Sequence, residues 1–421
     1  MTGIVGKCAS LFGLFAGAVT AAPMMTMPAA ATIVPSLGGD AVDKSNLQVV
    51  PVAVFGRDDR KSLPKRLRPL KKSIGLVYNN SVRSVCTGFC VADRLVATAS
   101  HCLFRTAGER RPSLRKFQFV LRARSRWPSS RIEGYQVRAI DQFVVAGSRK
   151  LRIEPPIDAT QDWALMRLSS PVCKGAVLPV ASLAPKRLEQ LAKRKALFQV
   201  SFHHDYANWR LAYSGKCTTR SPLKALQRKR ISRDFNAPDN LVLHTCDTGG
   251  ASSGSPLLTV DAKGRFQVVA VNVGTYVQTR LLIEEGKVVR RYKSDAVANT
   301  AIATRAFEGL IRPFSAANIL RSAKDIRSIQ QVLKQRGLYQ LNVDGAFGPA
   351  TRRAIQLFRG RDESELAGLP TRGLLTDLSK LVSPASIGGE TAAARTRGRQ
   401  NVTGGRLKQE INAKAGRRSA P

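Results

Sequence analysis

At 421 residues, 43% of them hydrophobic, the chain is long enough for two or three domains with separate cores. Its 68 Lys and Arg against 29 Asp and Glu give a formal net charge of +39, a field that draws polyanions such as cell-wall carboxylates and phosphates, lipopolysaccharide or nucleic acid. With 6% aromatic residues and no stacking platform or base-reading motif, nucleic acid is the weakest of these partners.

Residues 1–22 read as a secretory signal peptide: Lys7 charges the start, Cys8 to Val19 are apolar but too short to span a bilayer, and Thr20-Ala21-Ala22 suit cleavage. No later stretch approaches membrane-spanning length, so the mature chain is expected to lack a transmembrane segment and to be periplasmic or secreted. Residues 23–70, Pro/Ala-rich and then basic (RDDRKSLPKRLRPLKK, 57–72), read as a propeptide or disordered lead-in. From Ile74 short apolar runs alternate with polar turns (IGLVY, CTGFCV, RLVATAS, KFQFVLRA, QFVVAG, WALMRL, FQVSF, LVLHTC, FQVVAVNVG), the pattern of a mainly β barrel or sandwich over 71–313. The basic runs at 108–116 and 226–233, taken singly, read as solvated loops. NTAIATRAFEGLI (299–311) has helical spacing and would close this region. A linker at 314–323 leads to a helical module at 324–382, where one helix ends at Gly337 and Pro349 opens another. The tail, 383–421, is basic, without apolar period, and reads as disordered.

Without Cys8, six of the seven cysteines remain, an even number in a compartment where disulfides persist. Cys217 and Cys246, in consecutive predicted strands, are expected to pair. Cys90 and Cys173 either pair or stay as free buried thiols. No CxxC or HxxxH spacing is present, so no metal and no cofactor are expected.

Three strings carry the chemistry: TASHC ending at Cys102, DWAL starting at Asp162, and GGASSGSP ending at Pro256. Amide hydrolysis near neutral pH needs an alcohol, an imidazole to take its proton, a carboxylate to orient that imidazole, and backbone N–H groups aimed at the oxyanion. Ser253, His101 and Asp162 are the candidates for the first three roles.

CTGFCVADRLVATASHC (86–102), DWALMRL and GGASSGSPLL together resemble the His, Asp and Ser segments of trypsin-like, chymotrypsin-fold serine peptidases, in the bacterial form ending Gly-Ser-Pro. The likeness extends over roughly 70–313, with 61 residues from His101 to Asp162 and 91 from there to Ser253. It implies two six-stranded-type β-barrels, with His101 and Asp162 on the first and Ser253 on the second. It also implies a Cys86–Cys102 disulfide beside the histidine, and an oxyanion hole built from the N–H groups of Ala251 and Ser253. Two departures stand out. Ala251 replaces the usual glycine, so its methyl is penalised if the loop needs a positive φ. Ser252 replaces an Asp that pairs with a freed N-terminal ammonium in animal relatives, so activation here is not expected to use that pair. Asp247, six residues before Ser253, stands where enzymes cutting after Lys or Arg carry their pocket carboxylate, which suggests a basic P1 preference. Glutamyl-type bacterial relatives also carry an Asp-Thr pair there. Asn272 occupies the position of their carboxylate-binding His, which argues against cleavage after Glu. His203, His204 and His244 read as loop or pocket-wall residues.

IRSIQQVLKQRGLYQLNVDGAFGPATRRAIQLF (326–358) resembles the small three-helix peptidoglycan-binding domain through Asp344, Gly345, Phe347, Gly348 and Thr351. Arg359 departs from the family's usual Gln, and Asp344 and Thr351 read as shaping the turn rather than touching sugar. The expected protein is therefore an exported serine endopeptidase acting on proteins or peptides through an acyl-enzyme, held at peptidoglycan or another anionic envelope polymer. The alternatives are a catalytically degenerate wall-binding protein and a peptidoglycan hydrolase. No paired carboxylate or zinc constellation supports the latter.

Overall fold

The computed structural model describes residues 31–35 and 54–381, except 56, 80–83, 105–112, 126–131, 152–157, 207–209, 219–231, 234, 285–286 and 361–365. The expected signal peptide, the basic tail and most of the 108–116 and 226–233 runs lie outside the described residues.

The described chain is mainly β, in two antiparallel sheets followed by helices. Strands run in the order β1 (Ala31–Pro35), β2 (Lys61–Ser62), β3 (Ile74–Asn79), β4 (Ser84–Ala92), β5 (Leu95–Thr98), β6 (Phe117–Ser125), β7 (Ile132–Ala146), β8 (Ala164–Leu168), β9 (Leu197–Phe202), β10 (Leu211–Cys217), β11 (Leu241–His244), β12 (Pro256–Val260), β13 (Phe266–Glu284) and β14 (Lys287–Ala303). β3, β4, β5, β8, β7 and β6 form a closed ring. Phe89, Phe117, Phe119 and Phe143, all fully buried, belong to its core.

The second sheet runs β11-β14-β13-β12-β9-β10-β2, with β1 added on β13, and among the described residues it is not closed. The expected mainly β, two-sheet architecture holds, but among the described residues only the first of the two expected barrels closes. Closure needs hydrogen bonding to continue around the whole ring. The β10 edge is instead taken by β2, with Ala212 opposite Ser62 and Tyr213 opposite Lys61. The described part of the expected propeptide or disordered lead-in thus packs on the fold from Lys61 onward. Its 3-10 turn, Lys65–Lys72, buries Leu67 and Leu70 and leaves its lysines and arginines outward.

A second correction concerns 299–311. Residues up to Ala303 are strand, a 3-10 turn covers Thr304–Ala306, and the helix starts only at Glu308. Ala-rich NTAIA has helix-compatible composition, but it lies between two strands, with Thr300 opposite both Leu243 and Gly274. Pairing on both sides outweighs a weak local preference.

Three disulfides are present: Cys86–Cys102, Cys217–Cys246 and Cys90–Cys173. The last, left open by the sequence, closes 83 residues and ties β4 to the segment after β8. In the chain-entropy picture such a loop is worth roughly 4–5 kcal/mol.

The helices are α1 (His101–Phe104), α2 (Pro185–Lys193), α3 (Glu308–Ala316), α4 (Ala323–Gln335), α5 (Pro349–Phe358) and α6 (Arg372–Lys380). The stretch expected as a linker is a packed joint. Phe314 is fully buried, and the Arg167 guanidinium donates to the carbonyls of Phe314 (3.3 Å) and Ala317 (2.8 Å). Ser322 caps α4 by accepting the Asp325 N–H at 3.0 Å. The buried Gln330 organises the turn between α4 and α5. Its Nε2 lies 2.8 Å from Asp344 Oδ1 and 3.1 Å from Thr351 Oγ1, and its Oε1 accepts the Gly345 N–H. Asp344 also accepts the Ala346 N–H at 2.8 Å, so Asp344 and Thr351 shape the turn. Arg359 donates to Ala367 O and Thr371 Oγ1, both at 3.1 Å. Phe347, in the same turn, lies 5.9 Å from Phe143 of the barrel.

Candidate active site

Antiparallel pairing of β5 with β8 sets Thr98 opposite Ala164. That register brings the residues just beyond both strand ends, His101 and Asp162, into contact. His101 Nδ1 is 2.7 Å from Asp162 Oδ2, and the His101 backbone N–H donates to Oδ1 at 2.9 Å. Both side chains are buried. An ionised carboxylate can only accept, so Nδ1 carries the proton and Nε2 is left as the basic nitrogen. Among the described residues, the one grouping with ligand atoms close enough for a metal is Cys86, His101 and Cys102, and the disulfide removes both thiolates.

Ser253 lies buried in the loop between β11 and β12, and this loop is fastened to the barrel. Thr87 N–H donates to Ser253 O at 2.8 Å, and Thr87 Oγ1 to Ala251 O at 2.7 Å. Thr87 adjoins Cys86, whose disulfide ends at Cys102 beside His101. Gly254 has φ +80°, and a Cβ there would stand 2.2 Å from both Thr87 O and Thr98 Oγ1, so no other residue fits. The Ser253 loop therefore sits against the strands that lead into His101.

Ala251 has φ +73°, the conformation that its methyl disfavours. The Gly250 carbonyl accepts His204 N–H at 2.9 Å. A trans peptide points its C=O and the following N–H in opposite directions, so the Ala251 N–H faces away from His204. Left-handed alanine costs about 1–2 kcal/mol. Glycine's extra unfolded-state entropy takes back about 0.4–1 kcal/mol. Ala251→Gly should therefore stabilise the protein by about 0.5–1 kcal/mol, seen as a higher urea midpoint. A lower midpoint would show that the methyl is not strained.

The two residues expected to line a specificity pocket, Asp247 and Asn272, are both buried and hydrogen-bonded. Asp247 is buried, and its oxygens accept the backbone N–H groups of Phe55 (2.9 Å) and Asp59 (2.7 Å). Each Asp247 oxygen thus carries one backbone hydrogen bond from the lead-in and keeps a further lone pair. Asn272 is a strut: its Nδ2 donates to Ser252 O (3.1 Å) and Oγ (3.3 Å), and its Oδ1 meets His244 Nε2 at 3.1 Å. Sequence reasoning missed Thr87, the His204 N–H and the lead-in residues, because their contacts join segments far apart in the chain. The +1 glycine packing at Gly254 was the available signal for a close-fitting loop.

Burial holds His203 down to about 3 and His244 to about 4, so both are neutral near pH 7. Nearby Arg60 adds to the first effect, and the Asn272 bond opposes the second. Folded pKa values below the unfolded 6.5 mean that the unfolded chain binds protons first as pH falls. The stability they contribute is present above about 6.5 and is lost on the way down to 4 and 3. Asp247 works in the opposite sense, since burial pushes its carboxyl up to about 6 and the folded chain takes that proton first. Two histidines shifted further outweigh one carboxyl, and stability should drop by about 2–3 kcal/mol between pH 7 and pH 5. Urea unfolding at both values measures it; an unchanged or increased stability at pH 5 contradicts the assignment.

Compared with known proteins, residues 86–271 match the trypsin-like peptidase domain model, and residues 322–361 match the model of a putative peptidoglycan binding domain. No curated protein matches the chain. A solved structure titled "Structure of Glu endopeptidase in complex with MPD" is similar at a TM-score of 0.40 and 14% identity, covering 62% of this chain and 99% of that one. Among the described residues no helix is long and apolar enough to cross a membrane.

Proposed function

We propose that this chain, with its trypsin-like peptidase domain over 86–271 and putative peptidoglycan binding domain over 322–361, is an exported serine endopeptidase that works at the cell wall. The observation that carries the reading is the 2.7 Å His101–Asp162 contact, with the second carboxylate oxygen on the His101 N–H. Asp162 holds the imidazole so that Nε2 can take the proton of Ser253 as its Oγ attacks the scissile carbonyl. The Ala251 and Ser253 N–H groups stabilise the tetrahedral oxyanion. His101 then protonates the leaving amine, and water, deprotonated by the same nitrogen, releases the acid from the acyl-enzyme.

Three disulfides fit an oxidising compartment, periplasmic or extracellular. The helical module, together with a charge of +39, suits an anionic wall polymer. The test is fluorophosphonate labelling of the full chain mixed with isolated peptidoglycan sacculi. Label on Ser253 in the sedimented fraction is expected. Sedimentation without label favours the degenerate wall-binding protein, and label that stays in the supernatant removes the wall assignment.

A further inference from the structure

The lead-in residues pack directly on the backbone that precedes Ser253. Arg60, only 8% exposed, donates Nη1 to Asp205 Oδ1 and Nη2 to Asp205 Oδ2, both at 3.0 Å. Its other face is held by Asp58 through Nε (3.0 Å) and Nη2 (2.7 Å), and its guanidinium lies 5.0 Å from the Tyr206 ring centre. The cluster touches the Ser253 loop. A Cβ at Gly249 would stand 2.1 Å from Asp205 Oδ1 and 2.5 Å from Arg60 Nη1, and one at Gly250 would stand 2.3 Å from His204 Nδ1. Two further ties fix the same segment: Asp247 takes the N–H groups of Phe55 and Asp59, and Asp59 Oδ1 accepts Ser214 Oγ at 2.8 Å.

Between Asp205 and Gly250 stands His204, whose N–H holds the Gly250 carbonyl. Rotating that peptide would carry the Ala251 N–H out of the hole, and Ala251 in the left-handed region gives the loop a reason to rotate. Ser252 has no charge to restrain it, and its hydroxyl meets Asn272 instead. We infer that Arg60 is a positioning residue for the oxyanion hole: by locking Asp205 it fixes the His204 N–H on the Gly250 carbonyl and keeps the Ala251 N–H turned toward substrate. The lead-in is then an internal brace, and the active form retains it. This inference rests on the serine peptidase reading above.

The test compares the full-length protein with Arg60→Ala and Arg60→Lys on labelled casein, together with inhibition by phenylboronic acid, whose Ser253 adduct is tetrahedral. Loss of an oxyanion donor lowers kcat by about 100-fold or more, so Arg60→Ala should do the same with KM changed less than about threefold. Boronate affinity should weaken in parallel. Arg60→Lys should recover only part, because an ammonium cannot bridge two carboxylates with paired bonds. If Arg60→Ala does not fold, Asp205→Asn replaces it and should show the same kcat-selective loss in milder form. Unchanged kcat, a loss confined to KM, or a gain in activity (the result expected of a blocking segment) overturns the proposal. Failure of the wild-type protein to label at Ser253 instead strikes the peptidase reading itself.

Discussion

Ser253→Ala should lower kcat on labelled casein by about 10^5- to 10^6-fold and end fluorophosphonate labelling, with substrate binding and the urea midpoint little changed. Without the alcohol no acyl-enzyme can form, and the His101–Asp162 pair has no proton to accept from a nucleophile. The oxyanion donors and substrate binding remain, so a small residual rate over water persists. The side chain lost is small, and the anchors of this loop are elsewhere: Thr87 on the carbonyls of residues 251 and 253, and Asn272 on Ser252. A variant that keeps more than a hundredth of wild-type kcat would rule out Ser253 as the nucleophile.

Asp162→Asn should cost about 10^4 in kcat while leaving the fold intact. The reason lies in how the carboxylate divides its two oxygens. Oδ1 accepts the His101 N–H, so an asparagine must keep its carbonyl oxygen there. Its amide NH2 then faces Nδ1, which becomes an acceptor, and the ring proton moves to Nε2. The nitrogen meant to receive the serine proton already holds one. Steady-state kcat, with the rate of fluorophosphonate labelling as the second readout, measures this. A drop of less than tenfold would mean that the tautomer is set by something other than Asp162.

The catalytic candidates were legible because each sits in a string whose local structure is its own: a strand end before His101, a turn before Asp162, a glycine-flanked loop around Ser253. The methyl cost at Ala251 was legible too, since a positive φ was the condition for it and φ is +73°. What the sequence hid depends on pairing at long range. NTAIA reads as a helix until β11 and β13 flank it. The bonds that Asp247 accepts come from the backbone of Phe55 and Asp59, nearly two hundred residues away in sequence, and nothing local announces them. The segment 57–72 carries charge and proline enough to look unfolded, yet Leu67 and Leu70 are buried once a core exists to receive them. Composition describes a segment alone, and these segments are decided by their neighbours.

The packed joint after α3 sets how the two halves can work together. Phe314 is sunk in the core and Phe347 lies against Phe143, so the segment leading into the helical region packs on the barrel. A long linker lets an enzyme sweep a volume around its anchor point, at an effective concentration that falls as the linker lengthens. A stiff mount gives one standoff height and one heading instead. For the wall-seated peptidase proposed above, such a mount would favour proteins that project to its own level, making target choice partly a matter of altitude.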